Sequence, residues 1–290
     1  MIEPYLTHEM LERLVRLPKP QRRMALDKIG QEEWARCAED IFYWIDPKRH
    51  PIPYVYTKDP HAMFTCNLCA HDEDPTLRVT WDTFHRKVHL LSTHKIEART
   101  DRECKPHFTE LDTIRVFPMH DYFTPIIEAW LEDPMMAVEK SRDMMATWLI
   151  VTCYTWDSLF HKGRQNIFQS ENAQKTRDLV DRAYTLWLNQ PAWLRNVQKA
   201  IDSEGTNRAG KLTVPGMQSE IIGFPQGADK IRQYHPSGVF SDEAAFNPYA
   251  SECFAAIKPA IANGGRYTAI SSANPGWFMH VCKDSLDQIS

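Results

Sequence analysis

Apolar residues recur at helical spacing through the first 48 positions. Leu6, Met10, Leu11, Leu14 and Leu17 lie on such a pattern, and a second stretch covers 31–45. Pro18 and Pro20 are expected to break the two apart. From 49 to 117 long apolar runs are scarce, and His, Cys, Asp and Thr are frequent. After Pro118 the pattern changes again, and short strand-like runs alternate with longer helical ones. The predicted strands are 136–139, 166–169, 219–224, 238–241 and 267–271, and helical stretches cover 147–160, 172–188 and 248–262. This predicts three parts: a helical segment at 1–48, a Cys/His-rich subdomain at 49–117 and an α/β core at 118–290. Strand–helix alternation argues for a parallel sheet covered on both faces. Ligands of such sheets sit at the carboxyl ends of the strands.

Three of those strand ends are polar. After the strand at 136–139 come Lys140, Ser141, Arg142 and Asp143, and then a strongly helical run from Thr147. A phosphate group is bound by backbone N–H donors, a helix N-terminus, a lysine and a hydroxyl that helps hold Mg²⁺. Lys140 and Thr147 offer the last two, and a solvated basic turn is the plainer alternative. The strand at 238–241 delivers adjacent carboxylates, Asp242 and Glu243. In an ATPase the first helps hold Mg²⁺ and the second polarises the attacking water. Adjacent side chains on an extended strand point opposite ways, so each carboxylate has its own task. The alternative is a helix start with acidic residues satisfying its dipole. The strand at 267–271 ends in Ser271, Ser272 and Asn274. Their hydroxyl and amide groups suit a sensor of the γ-phosphate, although Asn-Pro-Gly is also ordinary turn chemistry.

Composition narrows the class. At 290 residues, 43% hydrophobic and 25% charged, the chain suits a globular protein. Its longest apolar run, 148–156, falls well short of the roughly 18 residues a membrane span needs. The first residues show no basic segment followed by an apolar one, so no signal peptide is expected and the cytoplasm is the default. A net charge of −4 restricts any contact with nucleic acid to a local patch, a transient encounter or an assembly. Seven cysteines read as reduced thiols, with any clustered pair better suited to metal than to a disulfide.

Such a pair is Cys66 and Cys69. A helix starting near Thr83 would carry His89 and His94 as a finger does, making Cys66, Cys69, His89 and His94 the preferred structural Zn²⁺ set. His85 with His89, or Cys104 with His107, are the other completions. Polar loop residues that bind nothing are the alternative to all of these. A metal would replace the missing apolar core of this region. Arg86, Lys87 and Lys95 would place positive charge near it for DNA phosphates, or simply make a solvated face.

In order and approximate spacing, the three polar strand ends resemble the ATPase motifs of the tailed-bacteriophage terminase large subunit. Lys140–Thr147 is similar to a deviant Walker A loop whose lysine stands at the start of the loop. The stretches 219–227, Ile231-Arg232, Trp44-Ile45-Asp46-Pro47 and Gln169-Ser170-Glu171-Asn172 also look like the family. The resemblance is fairly specific over Pro118–Gly276 and loose before it. It implies an ASCE-type P-loop NTPase fold, a mostly parallel sheet flanked by helices with an N-terminal helical region and a small zinc-finger-like insertion. By the same resemblance Lys140, Ser141, Arg142, Thr147 and Asp242 bind ATP and Mg²⁺. Glu243 is the catalytic carboxylate, with Arg142 acting on transition-state charge. Ser271, Ser272 and Asn274 belong to the motif that couples hydrolysis to movement.

The implied activity is ATP hydrolysis driving double-stranded DNA into a procapsid in the host cytoplasm. The implied partners are a portal protein, a small terminase subunit and further copies in a ring. Met145 stands at a place where the family commonly has glycine, and no clear glutamine precedes the loop to read adenine. Large terminases carry a second, nuclease domain of RNase H-like fold. No acidic cluster follows the third motif, so no nuclease activity is expected within this chain. Two other functions fit parts of the pattern: another nucleic-acid-remodelling ATPase, or a zinc-finger DNA-binding protein with an inactive nucleotide fold.

Overall fold

The computed structural model describes residues 10, 13–14, 16–46, 53–55, 63–65, 78–82, 87–91, 114–117, 119–141, 144–190, 194–195, 198, 201–203, 210–225, 227, 231 and 233–287. The chain divides into two compact units, one formed by Met1–Pro53 with Val116–Ser290 and the other by Tyr54–Arg115.

The larger unit opens with α1 (Lys19–Glu39). The expected break between the two helical stretches is present at Leu17 and Pro18, and Pro20 stands just beyond it at the start of α1. It lies in the first turn, where no intrahelical N–H is required, and so helps to start it. Asp40 ends α1 with an extended backbone, and its carboxylate accepts a 2.8 Å bond from the Phe42 N–H to begin α2 (Ile41–Ile45). This N-terminal region is fastened to the core by two indole N–H donors. Trp44 Nε1 donates to Gln190 Oε1 at 3.1 Å, and Trp156 Nε1 donates to the Cys37 carbonyl at 2.6 Å.

In the smaller unit the strands are β1 (Pro53–Val55), β2 (Met63–Thr65), β3 (Arg78–Asp82), β4 (Lys87–Leu91) and β5 (Ile114–Val116). β1 pairs with β5, and β2-β3-β4 form a three-stranded antiparallel sheet. The helix expected to begin near Thr83 and carry His89 is not what forms there. His89 lies in β4 opposite Thr80 of β3. Apolar and polar residues alternate through much of 78–91, which suits a pleated strand better than a helix. Cys66, Cys69, His85, His94, Cys104 and His107 lie outside the described residues. Among the described residues no three His, Cys, Asp or Glu side chains gather as metal ligands.

The core then runs α3 (Phe123–Glu132), β6 (Met135–Glu139), α4 (Ala146–Phe160), β7 (Gln165–Ser170) and α5 (Ala173–Leu188). It continues through β8 (Ile201–Ser203), β9 (Lys211–Val214), β10 (Ser219–Pro225), β11 (Gly238–Asp242), α6 (Ala250–Ala262), β12 (Arg266–Ser271) and α7 (Trp277–Asp287). The sheet order is β6-β12-β11-β7-β10-β9-β8. The first five strands are parallel, and β9 and β8 extend the sheet antiparallel at the far edge. The expected α/β class and mostly parallel sheet are thus present, and each predicted core strand forms within a residue or two of its place. No helix among the described residues is long and apolar enough to cross a membrane.

Helix α4 is largely apolar and buried on nearly all sides: all but one of its residues from Leu149 to Phe160 are buried. Its Tyr154 packs on Phe168 of β7 and Phe240 of β11, with ring centroids 6.0 Å away in each case. The approach is close because β11 starts at Gly238, where a Cβ would come within 2.5 Å of the Tyr154 ring. The Tyr154 hydroxyl hydrogen-bonds both the Val239 carbonyl and Thr268 Oγ1 at 3.0 Å. One buried hydroxyl thus ties the helix to two central strands through two hydrogen bonds. Tyr154→Phe should lower the unfolding free energy by about 1–3 kcal/mol, because it strands buried partners. Urea unfolding monitored by circular dichroism would measure it.

Candidate nucleotide site

Strands β6, β11 and β12 end at the same edge of the sheet, and their next residues meet there. Lys140 leaves β6, and its backbone N–H donates to the Ser271 carbonyl at 2.9 Å. Its Nζ donates to Glu243 Oε1 at 3.0 Å. The other carboxylate oxygen of Glu243 accepts from Ser271 Oγ at 3.3 Å and Ser272 Oγ at 3.4 Å. Thr147, in the first turn of α4, donates from Oγ1 to Asp242 Oδ1 at 3.1 Å. Asn274 Nδ2 donates to the Ala245 carbonyl at 2.9 Å, bracing the short 3₁₀ turn that follows Glu243.

The structure therefore gathers Lys140, Thr147, Asp242, Glu243, Ser271 and Ser272, with Asn274 one turn away. Ser141 is exposed beside Lys140 in the loop. Arg142 lies outside the described residues.

The two adjacent carboxylates have different surroundings. Burial, and then the charge of Glu243, push the Asp242 carboxyl above its ordinary range, while Lys140, Arg182 and the Thr147 hydroxyl act the other way. Glu243 is also disfavoured as an anion by burial. The hydrogen bond and charge of Lys140, with help from Ser272 and Ser271, outweigh that and hold it below the usual carboxylate range. Glu243 is thus the stabilised anion of the pair. Their separation follows from the backbone. Asp242 is the last residue of β11, whereas Glu243 turns off the strand with a left-handed φ of 52°.

Met145 has a left-handed φ of 51° immediately before α4. This conformation is one that glycine adopts without strain. Helix α4 has no side-chain cap and no acid in its first turn, so its leading N–H groups face the loop without a capping side chain. Tyr122 steadies the loop by donating its hydroxyl to the Met144 carbonyl at 3.0 Å, and His120 stacks on Tyr122. A hydroxyl and a carboxylate in contact, Thr147 and Asp242, form a hard oxygen donor set that fits Mg²⁺. Lys140 and the uncapped helix start fit a phosphate.

Sequence reasoning missed two neighbours, Arg182 and Lys175, and quoted a third, Ser170, only within the family-like stretch 169–172 and without a role. Arg182 of α5 stands 5.2 Å from the Trp148 ring and its charge acts on Asp242. Lys175, in the first turn of α5, pairs with Glu171 and feels the charges of Glu243 and Asp242. Ser170 ends β7 beside β11. Ser170 is at a strand end and Lys175 shortly after it, where polar residues could have been suspected. Arg182 is more than two turns into its helix and carries no such signal.

No protein-family model and no curated protein matches the chain. Among solved structures, the ATPase domain of the Thermus phage P74-26 large terminase is 17% identical, with a TM-score of 0.41 over 57% of this chain and 69% of that one. The HK97 bacteriophage large terminase is 12% identical, with a TM-score of 0.48 over 61% of this chain and 38% of that one. The large terminase of a thermophilic bacteriophage, in complex with ADP, is 14% identical, with a TM-score of 0.42 over 59% of this chain and 43% of that one. The chain thus spans less than half the length of the last two. Overlaps this partial carry no functional weight of their own.

The left-handed backbone at Met145 makes a direct prediction. Met145→Val should lower stability by roughly 1–2 kcal/mol, because a β-branched side chain tolerates that conformation poorly. Met145→Gly should not incur this strain. Chemical denaturation of the two variants beside the parent chain distinguishes them.

Proposed function

We propose that this chain is an ATP-hydrolysing motor of the phage large-terminase kind, with its nucleotide site at the carboxyl edge of β6, β11 and β12. One observation carries the proposal. Three polar segments far apart in sequence meet through the Lys140–Glu243 pair at 3.0 Å, with Thr147 on Asp242 and Ser271 and Ser272 on Glu243. These are the contacts expected if lysine binds phosphate, threonine and aspartate hold Mg²⁺, and glutamate handles water.

In this mechanism Lys140 and the start of α4 bind the β- and γ-phosphates. Thr147 and Asp242 would hold Mg²⁺, which would neutralise charge on the phosphates. Glu243, kept anionic by its surroundings, orients the attacking water and accepts its proton. Arg142 adds positive charge to the transition state, a role assigned by sequence resemblance alone. Ser271, Ser272 and Asn274 link Glu243 and the turn behind it to β12, so loss of the γ-phosphate is felt along that strand. Coupling to double-stranded DNA, a homo-oligomeric ring, a portal protein, a small terminase subunit and the host cytoplasm all belong to the same proposal.

A zinc ion on Cys66, Cys69, His89 and His94 is a separable part. It is supported by the spacing of the cysteine pair and by the shortage of apolar residues around it. Metal analysis of protein purified without chelator is expected to find about one zinc per chain. Finding none would remove the metal and leave the ATPase in place.

The catalytic assignment is tested by ATP turnover and nucleotide binding, measured with and without double-stranded DNA. Glu243→Gln should keep ATP affinity and lose at least about a hundredfold in rate. Lys140→Ala should weaken both, since its ammonium neutralises phosphate in the ground state and the transition state. Arg142→Ala should lose more in rate than in affinity. Wild-type turnover in Glu243→Gln would overturn the assignment and favour a DNA-binding protein with an inactive nucleotide fold.

A further inference from the structure

Ser170 is the last residue of β7 and is 3% exposed, yet its hydroxyl has no hydrogen-bond partner among the described residues. A buried hydroxyl without a partner opposes folding, so such groups are uncommon unless something else uses them. The place of this one is informative. β7 lies next to β11, with Phe168 in register with Phe240 and Gln169 with Ser241. One step further along the two strands stand Ser170 and Asp242. Neighbouring parallel strands lie about 4.8 Å apart.

The two side chains share a face. Phe168 and Phe240, two residues earlier on each strand, both pack on Tyr154 of α4. Thr147, two turns before Tyr154 on the same helix, donates to Asp242. The first turn of α5 adjoins the same spot, where Thr176 Oγ1 accepts from the Ser170 N–H at 3.1 Å. That contact uses the Ser170 backbone and leaves its hydroxyl unpaired.

We propose that Ser170 is a positioning residue of the nucleotide site, whose hydroxyl hydrogen-bonds the water shell of the Mg²⁺ held by Thr147 and Asp242. This inference rests on the nucleotide-site assignment above. It assigns a further contribution to the strand between β11 and β10, which places no charged group on the metal. Being neutral, the hydroxyl can donate or accept there without disturbing the charge balance around Asp242. Phosphate contacts do not involve Ser170, so its effect is confined to the metal-dependent part of binding.

The test titrates MgCl₂ into the full chain with a saturating non-hydrolysable ATP analogue, and in parallel measures ADP affinity in EDTA. Ser170→Ala is expected to raise the Mg²⁺ concentration for half-effect by about five- to tenfold, the scale of one hydrogen bond. Metal-free ADP affinity should not change. The melting temperature of the ligand-free variant should hold or rise, because the substitution removes an unpaired buried hydroxyl. Ser170→Thr, which keeps the hydroxyl, should keep the parent Mg²⁺ dependence. An unchanged Mg²⁺ titration in Ser170→Ala, or an equal loss with and without metal, would overturn this inference alone. A parent chain that binds neither nucleotide would overturn the nucleotide site along with it.

Discussion

The Lys140–Glu243 ion pair ties together the carboxyl ends of β6, β11 and β12. Its partners are 103 residues apart in sequence and only 12% and 27% exposed at the side chain. Partial burial makes both charges expensive to leave unpaired. The pair is not isolated: Lys140 is also held through its backbone by Ser271, and Glu243 by the Ser271 and Ser272 hydroxyls. Each of the three strand ends therefore holds the other two. A change that moves Lys140 away from Glu243 alters the surroundings of β12 without any large displacement. That gives the proposed coupling between hydrolysis and movement a concrete starting point.

The loops at this edge also depart from relaxed backbone. Three residues other than glycine have positive φ among the described residues: Met145, Glu243 and Gln218. Two of them flank the site. Such conformations cost on the order of 1–3 kcal/mol each and persist where the surroundings over-determine them. At Glu243 the surroundings are visible, with one cation and two hydroxyls on its carboxylate and Asn274 bracing the turn behind it. At Met145 the helix start behind it and the Tyr122 contact to Met144 do the same. Met145 thus holds a left-handed backbone that glycine adopts more readily.

Much of the core is legible in the sequence alone. Buried parallel strands are short apolar runs, and the helices between them are long enough to distinguish by length. Polar residues such as Lys140, Asp242 and Ser272 show against those runs because they follow them directly. Other features leave no such trace. β8 and β9 are short and lie at the antiparallel edge of the sheet, so no repeating unit announces them. The break at Pro18 and Pro20 is foreseen but the exact start of α1 is not, because position within a helix, rather than residue type, decides what a proline does. His89 falls on a helix only by analogy with a finger, whereas the alternation around it favours the strand that forms. Ser170 stands in the family-like stretch Gln169-Ser170-Glu171-Asn172, but only packing reveals that its hydroxyl is unpaired.

The most direct test of the nucleotide site is a crystal structure of the chain with Mg²⁺ and a non-hydrolysable ATP analogue. The triphosphate is expected to lie over the start of α4, with Lys140 Nζ transferred from Glu243 to phosphate oxygens and the metal beside Thr147 and Asp242. Nucleotide bound elsewhere, or bound with the Lys140–Glu243 pair still at 3.0 Å, would contradict the account.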